Sequence, residues 1–385
     1  MAAANLAPNV SLPLWLGLNL TPGLGLRGVH KLLAQFRDAA AIYSASLTEL
    51  ESCDITSAVA QSLHSGRSAA LGAEEAESAA RLGIRVITLG DREYPELLRE
   101  IHDPPVVLYV RGRVDALDAF GVASVGTRHP TLYGKLMAEK LGRDLGQWGL
   151  TVFSGLARGI DAISQRACLE ANGSTVAVMG TGVDIVYPSE NRKLAEAIVA
   201  GNGALVSEFP LGTIPAAQNF PLRNRVISGL SLAVLIVEGG EFSGSRITAR
   251  MALEQNRDVY AVPGMATQKQ ACLPNMLIKQ GAKLITDITD IIEELPSAVR
   301  VRLTPPPPVV SLSSQSAVPD AAAGEAMQWQ AVLKVLATDE TSHVDEIVNR
   351  LENKLSAPEI LTVLFDLELA GRVRQFPGKK YLRVS

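Results

Sequence analysis

Short apolar runs rich in β-branched residues alternate with amphipathic stretches from about residue 120 to residue 295. The stretches between the runs, such as Tyr133–Trp148 and Ile160–Ala171, have helical spacing. The runs are Val122–Val125, Leu150–Phe153, Thr175–Val178, Ala204–Ser207, Leu232–Val237, Val259–Val262 and Lys283–Thr286. Continuous apolar strands separated by helices indicate a parallel sheet that is covered on both faces. The pattern therefore predicts an α/β core.

The segments on either side of this core have different patterns. Ile84–Leu89 and Val106–Arg111 predict two further strands ahead of the main sheet. Leu20–Leu26 contains Pro-Gly-Leu-Gly before an amphipathic run, which is compatible with a phosphate-binding helix-hairpin-helix turn or with an ordinary helical scaffold. From Trp329 onward, apolar spacing predicts three helices followed by a small hairpin.

The clearest boundary in the chain is the proline run Pro305–Pro308, which continues into a stretch rich in Ser, Ala and Pro. Such a segment has little to bury and is stiffened by its prolines, so it predicts an exposed linker. We divide the chain into a helical domain (1–80), an α/β core (81–297), a linker (298–324) and a small C-terminal domain (325–385).

Composition and charge narrow the class of protein. The 385 residues are 47% apolar and 20% charged, which argues against a mainly disordered chain. The net charge of −4 excludes a histone-like polycation but leaves room for a local basic patch. Three scattered cysteines offer neither a disulfide framework nor metal-ligand spacing, so we expect no metal and no cofactor. The apolar segment near residue 11 is too short to span a bilayer, and we expect a cytoplasmic protein without a membrane anchor.

Candidate ligand-binding residues follow the predicted strands. Ligands of open α/β sheets bind at the carboxyl ends of the strands, where glycine lets backbone approach a ligand and a helix start binds an anion. Four such loops combine glycine, serine and arginine without a Walker A sequence or a G-x-G-x-x-G fingerprint. Their candidate residues are Gly126, Thr127, Arg128, Ser154, Gly155, Arg158, Gly159, Phe220, Arg223, Asn224, Arg225, Ser243, Gly244 and Ser245.

Several anion sites along one sheet edge suit a polyanion backbone, and Phe220 could stack against a base. Arg223 and Arg225 would diverge by about 200° in a helix, so one is expected to face the ligand while the other pairs inside the fold with Glu208 or Glu238. The loops contain no obvious pair of catalytic residues.

Seven motifs in this order resemble the DNA-processing protein A family (DprA, also called Smf). They are Val125–Arg128, Ser154–Asp161, Gly182–Pro188, Ser207–Pro210, Phe220–Ser231, Ser243–Thr248 and Val259–Gly264. The resemblance covers roughly residues 85–295. It implies an extended Rossmann-like parallel sheet, preceded by a helical domain like a sterile alpha motif (SAM) and followed by a winged-helix-like domain. Matching its motifs also implies DNA contacts at Gly126, Arg128, Ser154, Gly155, Arg158, Gly159, Phe220, Arg223, Asn224 and Arg225.

The resemblance further implies a function. Such proteins bind single-stranded DNA, protect incoming DNA during natural transformation in competent cells, load RecA recombinase for DNA recombination and act as homodimers. They are not known as enzymes. This chain departs from the common pattern at Ser189, where relatives often carry a basic residue, at Arg246, where they usually carry leucine, and in the loop Met265–Pro274.

Two other functions remain open on the residues alone. A nucleotide phosphoribohydrolase on a Rossmann-like sheet would use the same anion-binding loops with a carboxylate, such as Glu208, as general base. A winged-helix regulator would bind duplex DNA through the basic hairpin that follows Gly371, although Glu359, Asp366 and Glu368 make the preceding helix acidic.

Overall fold

The computed structural model describes residues 11–303, 305, 322–337, 341–352, 354–369 and 372–383. The chain forms two compact units. The first comprises residues 1–130 and 137–305, and the second comprises residues 131–136 and 306–385. Within the described ranges, no helix combines the length and the apolar character needed to cross a bilayer.

Six helices begin the described part of the first unit. They are α1 (Leu12–Leu20), α2 (Gly25–Phe36), α3 (Ala39–Ser44), α4 (Leu47–Glu51), α5 (Ser57–His64) and α6 (Arg67–Arg81). Side-chain caps start several of them: the Asp38 carboxylate accepts from the Ala41 N–H, and Ser46 forms a capping box with Glu49. Glycine at position 72 lets helices α1 and α6 approach closely: a Cβ there would lie 1.9 Å from the Pro13 carbonyl oxygen.

Nine strands form one sheet among residues 85–284. They are β1 (Arg85–Thr88), β2 (Val107–Gly112), β3 (Gly121–Val125), β4 (Thr151–Ser154), β5 (Thr175–Val178), β6 (Ala204–Ser207), β7 (Ala233–Ile236), β8 (Asp258–Ala261) and β9 (Lys283–Leu284). Their order is β1-β2-β6-β5-β4-β3-β7-β8-β9. Strands β6 to β9 in this order run parallel, whereas β1 pairs antiparallel with β2 and β2 with β6. The predicted parallel α/β core is confirmed.

The strand order reverses between β3 and β7. From β3 the chain continues outward through β4, β5 and β6, then returns to place β7 on the other side of β3 and continues to β8 and β9. The loops after β3 and β7 therefore leave the sheet in opposite directions. A crevice opens at such a switch point, outside the carboxyl ends of the strands.

Helices connect and cover the strands. They are α7 (Glu96–Arg99), α8 (Leu132–Gln147), α9 (Ile160–Glu170), α10 (Arg192–Ala200), α11 (Asn219–Leu230), α12 (Ser245–Glu254), α13 (Cys272–Lys279), α14 (Ile288–Glu294) and α15 (Ser297–Arg300). Successive strand residues belong to different apolar clusters: Leu205 belongs to the cluster that contains residues of the N-terminal helices and α10, whereas Val206 belongs to the one that contains residues of α11 to α13. Both faces are covered, which is why the strands have no polar face.

The C-terminal segment of the second unit contains three helices and a small sheet among its described residues, 322–383 with gaps. Helices α16 (Ala322–Val335), α17 (Val344–Leu351) and α18 (Ala357–Leu369) accompany β10 (Ser342–His343), β11 (Val373–Phe376) and β12 (Lys380–Arg383). The sheet order is β10-β12-β11. Ile347, Leu364 and Val373 share one core, so the predicted helices and hairpin form a winged-helix architecture.

The predicted linker at 298–324 is partly helical at its margins. Helix α15 occupies its first residues, and α16 begins at Ala322, before the predicted start of the C-terminal domain at 325. Residue 304 and residues 306–321 lie outside the described residues.

Candidate nucleic-acid interface

A cleft of about 1240 Å³ opens at the switch point between β3 and β7. Nine of the predicted residues line it: Gly126, Thr127, Arg128, Phe220, Arg223, Asn224, Ser243, Gly244 and Ser245. A smaller adjoining recess is lined by Gly155 and Arg158, together with Arg128, Phe220 and Arg223. The predicted residues Ser154, Gly159 and Arg225 line neither space. The structure thus brings eleven of the fourteen predicted residues to one open edge.

Backbone contacts fix the loop after β3. The Thr127 N–H donates to the Glu238 carbonyl at 2.8 Å, and the Ile160 N–H donates to the Thr127 carbonyl at 3.2 Å. A Cβ on Gly126 would lie 2.6 Å from Ile160 Cγ1, and a Cβ on Gly159 would lie 2.4 Å from the Thr127 carbonyl oxygen. The two glycines therefore let three loops meet. Gly159 acts here through close packing behind the cleft.

The start of α9 is held by a buried carboxylate. Asp161 accepts a hydrogen bond from the Gly155 N–H at 3.1 Å, and burial raises the pKa of Asp161 while the nearby Arg223 opposes that shift. Ser154 is also buried, and its hydroxyl donates to the Ser124 carbonyl at 2.6 Å. The Ser154 side chain is thus used inside the fold, where the resemblance had placed a DNA contact.

Arg223 forms the floor of the cleft. Its guanidinium donates to the carbonyls of Gly155, at 2.8 Å, and of Val178. Only 6% of Arg223 is exposed, and burial lowers its pKa to about 10, against the attraction of Asp161. At this pKa the guanidinium stays charged at neutral pH. Arg223 thus adds a fixed positive charge beneath the cleft and ties the ends of β4 and β5 together.

Arg225 points away from the cleft, which corrects the DNA contact assigned to it. Its guanidinium pairs with the Glu208 carboxylate and donates to the Asp103 carbonyl at 2.6 Å. Burial raises the pKa of Glu208 to about 7, although Arg225 lowers it. The predicted divergence of the two arginines on α11 is confirmed, and Glu208 is the internal partner. Glu208 does not line the cleft, where a hydrolase would need its base.

An exposed arginine and two aromatic rings lie on the solvent-facing side of the cleft. The Arg128 guanidinium carbon lies 6.0 Å from the Phe220 ring centroid, and no ion pair is present for Arg128 among the described residues. The Tyr187 and Phe220 centroids are 5.6 Å apart, with Tyr187 43% exposed. Phe220 is seated over Gly180, where a Cβ would lie 2.8 Å from the ring. This arrangement offers a cation beside an aromatic face, which suits a phosphate next to a base.

Two further groups complete the cleft. Ser243 and Ser245 lie at the N-terminus of α12, and their hydroxyl oxygens are 2.7 Å apart. In the recess, the Arg158 Nε donates to Glu190 at 2.6 Å on a half-exposed surface. Among the other residues that line the cleft, and that the sequence interpretation left out, are Tyr187, Phe242 and Lys269. Tyr187 and Phe242 were within reach of sequence reasoning, because both belong to loops that follow strands.

The described residues offer few groups that could bind a metal ion or act in catalysis at the cleft. No cluster of three or more His, Cys, Asp or Glu side chains there could hold a metal ion. Asp161 lines the cleft but is buried and accepts a hydrogen bond from the Gly155 N–H. Glu208 pairs with Arg225 outside the lining, and Glu241 lines the cleft from the loop before α12. The geometry offers cations, N–H groups and aromatic faces on an open surface.

The fold and the cleft define a Rossmann-like protein with a crevice lined by arginines and aromatic rings, joined to a winged-helix domain. Residues 85–296 match the family model for DNA recombination-mediator protein A, and residues 316–379 match the DprA winged helix domain. The first match covers more than half of the chain. The chain therefore belongs to the DprA/Smf family, and it is a DNA-processing recombination mediator.

Individual relatives agree with this assignment. Protein Smf of Escherichia coli K12 is 41% identical over 285 residues, which cover 74% of each chain. DNA processing protein DprA of Bacillus subtilis is 45% identical over 215 residues, covering 56% of this chain and 72% of the relative. The X-ray structure of DprA from Streptococcus pneumoniae superposes with a TM-score of 0.65 at 32% identity, covering 74% of this chain and 96% of that chain.

Proposed function

We propose that the cleft binds single-stranded DNA, protects it and presents it for loading of RecA recombinase. The observation that carries the proposal is the exposed Arg128 beside the Phe220 ring, at the mouth of an open cleft. Cations bind the phosphate backbone without reading sequence, and an aromatic face stacks on any base. A duplex hides the faces of its bases within its stack, so Phe220 favours a single strand.

The cleft also supports binding without catalysis. A phosphoribohydrolase would need a carboxylate able to activate water next to the bound phosphate. Glu208, the residue considered for that role, is paired with Arg225 outside the lining of the cleft. We therefore propose a binding protein that is not an enzyme.

The winged-helix unit gives less support to the duplex-binding alternative. Helix α18 carries Glu359, Asp366 and Glu368, which would repel the phosphates flanking a major groove. The wing does expose Arg374, Lys379 and Lys380. We propose that this unit assists the cleft without being the main DNA-binding module. In keeping with the family resemblance, we also propose a cytoplasmic homodimer that acts in natural transformation.

Fluorescence anisotropy with a labelled oligonucleotide, single-stranded or duplex, over a salt series tests the proposal. We expect preferential single-strand binding that weakens log-linearly with salt. Arg128→Ala should weaken it by about 1–3 kcal/mol, the scale of a charge-assisted contact, which is about 5- to 150-fold. Arg250→Ala is the matched control, because Arg250 is exposed but lies outside the cleft.

Three results would contradict the proposal. Equal or tighter binding of the duplex would favour the hypothesis that the protein is a winged-helix regulator of duplex DNA. Unchanged affinity in a folded Arg128→Ala variant would remove Arg128 from the site. Release of a base from a nucleoside monophosphate would show an enzyme. RecA loading is tested separately, by whether the protein accelerates RecA assembly on single-stranded DNA already covered by single-strand binding protein.

A further inference from the structure

Phe242 is a large apolar side chain left in solvent at the edge of the cleft. It lies in the loop between β7 and α12 and is 91% exposed. A single exposed apolar residue is ordinary on a protein surface and needs no explanation by itself. Phe242 differs in its position, because it lines the same cleft as Arg128 and Phe220.

The loop that carries Phe242 is anchored near its start. The Gly239 N–H donates to the Gln270 carbonyl at 2.7 Å, and the Leu273 N–H donates to the Gly239 carbonyl at 2.9 Å. The Ser243 N–H then closes a turn onto the Gly240 carbonyl at 3.0 Å. Phe242 therefore projects from a hydrogen-bonded turn, which lowers the entropy that a ligand contact would have to overcome.

The residues after Phe242 are suited to a phosphate. Ser243 and Ser245 present hydroxyls at the N-terminus of the ten-residue helix α12, and a Cβ on Gly244 would meet no atom within 4 Å. Backbone N–H groups and hydroxyls at a helix start bind anions. An exposed aromatic ring beside such groups repeats the pairing of Phe220 with Arg128 on the other side of the β3–β7 crevice.

We propose that Phe242 is a second stacking platform for a base of single-stranded nucleic acid, with the adjacent phosphate held by Ser243–Ser245. The inference rests on the proposed function and deepens it: the strand crosses the crevice and stacks bases at both Phe220 and Phe242. The Arg128 guanidinium on the same cleft selects this occupant over an apolar protein segment, because a single strand supplies a phosphate for that charge as well as bases for the two rings. The Glu241 carboxylate also lines the cleft, so the phosphate is expected at the serines and Arg128 and not beside Glu241.

The test compares oligonucleotides that do and do not carry bases. We expect Phe242→Ala to weaken binding of a single strand of about 16 nucleotides by about 5- to 150-fold, the loss measured when one stacked base is released. Phe242→Trp should retain the affinity, whereas Phe242→Leu, which is apolar but not aromatic, should lose it. On an oligonucleotide with abasic sites throughout, wild type and Phe242→Ala should bind equally.

Val301→Ala is the matched control, because Val301 is 86% exposed and does not line the cleft. An unchanged affinity of Phe242→Ala for the base-containing strand, or an equal loss on the abasic strand, would overturn the stacking role. A shift in oligomeric state on sedimentation of Phe242→Ala would also overturn it, in favour of a second copy covering the ring. If Arg128→Ala still weakens binding in those cases, the proposed function stands and only this inference fails.

Discussion

Gly159 is the point where a single added methyl group should separate two loops of the cleft. Its backbone has φ 76° and ψ −129°, a conformation that essentially only glycine adopts. A Cβ there would lie 2.4 Å from the Thr127 carbonyl oxygen and 2.8 Å from the Arg128 carbonyl carbon. Both are backbone atoms, so rotation of a side chain cannot relieve the overlap.

The magnitude for Gly159→Ala follows from these contacts. The backbone strain costs about 1–3 kcal/mol. Restoring a normal carbon–oxygen contact of about 3.5 Å requires the loops to move apart by about 1 Å, and overpacking of this kind costs about 1–3 kcal/mol more. The shift also weakens the hydrogen bond from the Ile160 N–H to the Thr127 carbonyl. We expect a loss of about 2–6 kcal/mol in the free energy of unfolding.

The assay pairs urea unfolding with single-strand anisotropy. Variants that stay folded should bind more than about tenfold more weakly, because Arg128 moves with the displaced loop. Gly149→Ala is the control: Gly149 has nearly the same φ, 77°, but a Cβ there would meet no atom within 4 Å. If Gly159→Ala is no less stable than Gly149→Ala and binds DNA as tightly as wild type, the reasoning about loop contact is refuted.

Three further predictions concern buried charges and the division of the chain. Arg223→Met should lower the free energy of unfolding by about 3–5 kcal/mol, because Asp161 loses its buried counter-charge; urea unfolding checks this, and a loss below about 1 kcal/mol would contradict it. Between about pH 5 and pH 8 the protein should lose at most about 3 kcal/mol of stability, since Glu208 with a pKa of about 7 holds a proton that the unfolded chain has released. Thermal unfolding of Glu208→Gln should not show this loss. Removal of residues from Pro305 onward should preserve most single-strand affinity in anisotropy, because all residues that line the cleft precede it; a collapse of affinity would move the binding site to the winged helix.

The local pattern of the sequence predicts most of the α/β core. Continuous apolar runs predict β3 to β8. A strand that is covered on both faces has apolar residues at every position, so its pattern is easily told from that of an amphipathic helix or a half-exposed strand. The last run, predicted over Lys283–Thr286, is a strand only at Lys283–Leu284. Strand order, by contrast, is set by which elements pack together over long distances, and no local pattern specifies it.

The candidate site, too, is predicted by the local sequence only in part. The 200° divergence of Arg223 and Arg225 follows from helix geometry alone. Which arginine faces the cleft depends on the placement of β6 and its Glu208 away from β3, which only the folded sheet reveals. The loop that begins at Ser154 does reach the recess that adjoins the cleft, through Gly155 and Arg158. The Ser154 hydroxyl, however, donates to the Ser124 carbonyl within the sheet, and the sequence pattern does not show this.

The buried position of Arg223 has a consequence for how the cleft responds to its ionic surroundings. A guanidinium enclosed by the carbonyls of Gly155 and Val178 cannot gather a mobile ion cloud, so it has few ions to exchange when a strand arrives. Its field is also poorly screened compared with that of a surface charge. The salt slope of binding should therefore count exposed cations such as Arg128, while the attraction that persists in concentrated salt should come from the rings and from this enclosed charge beneath them.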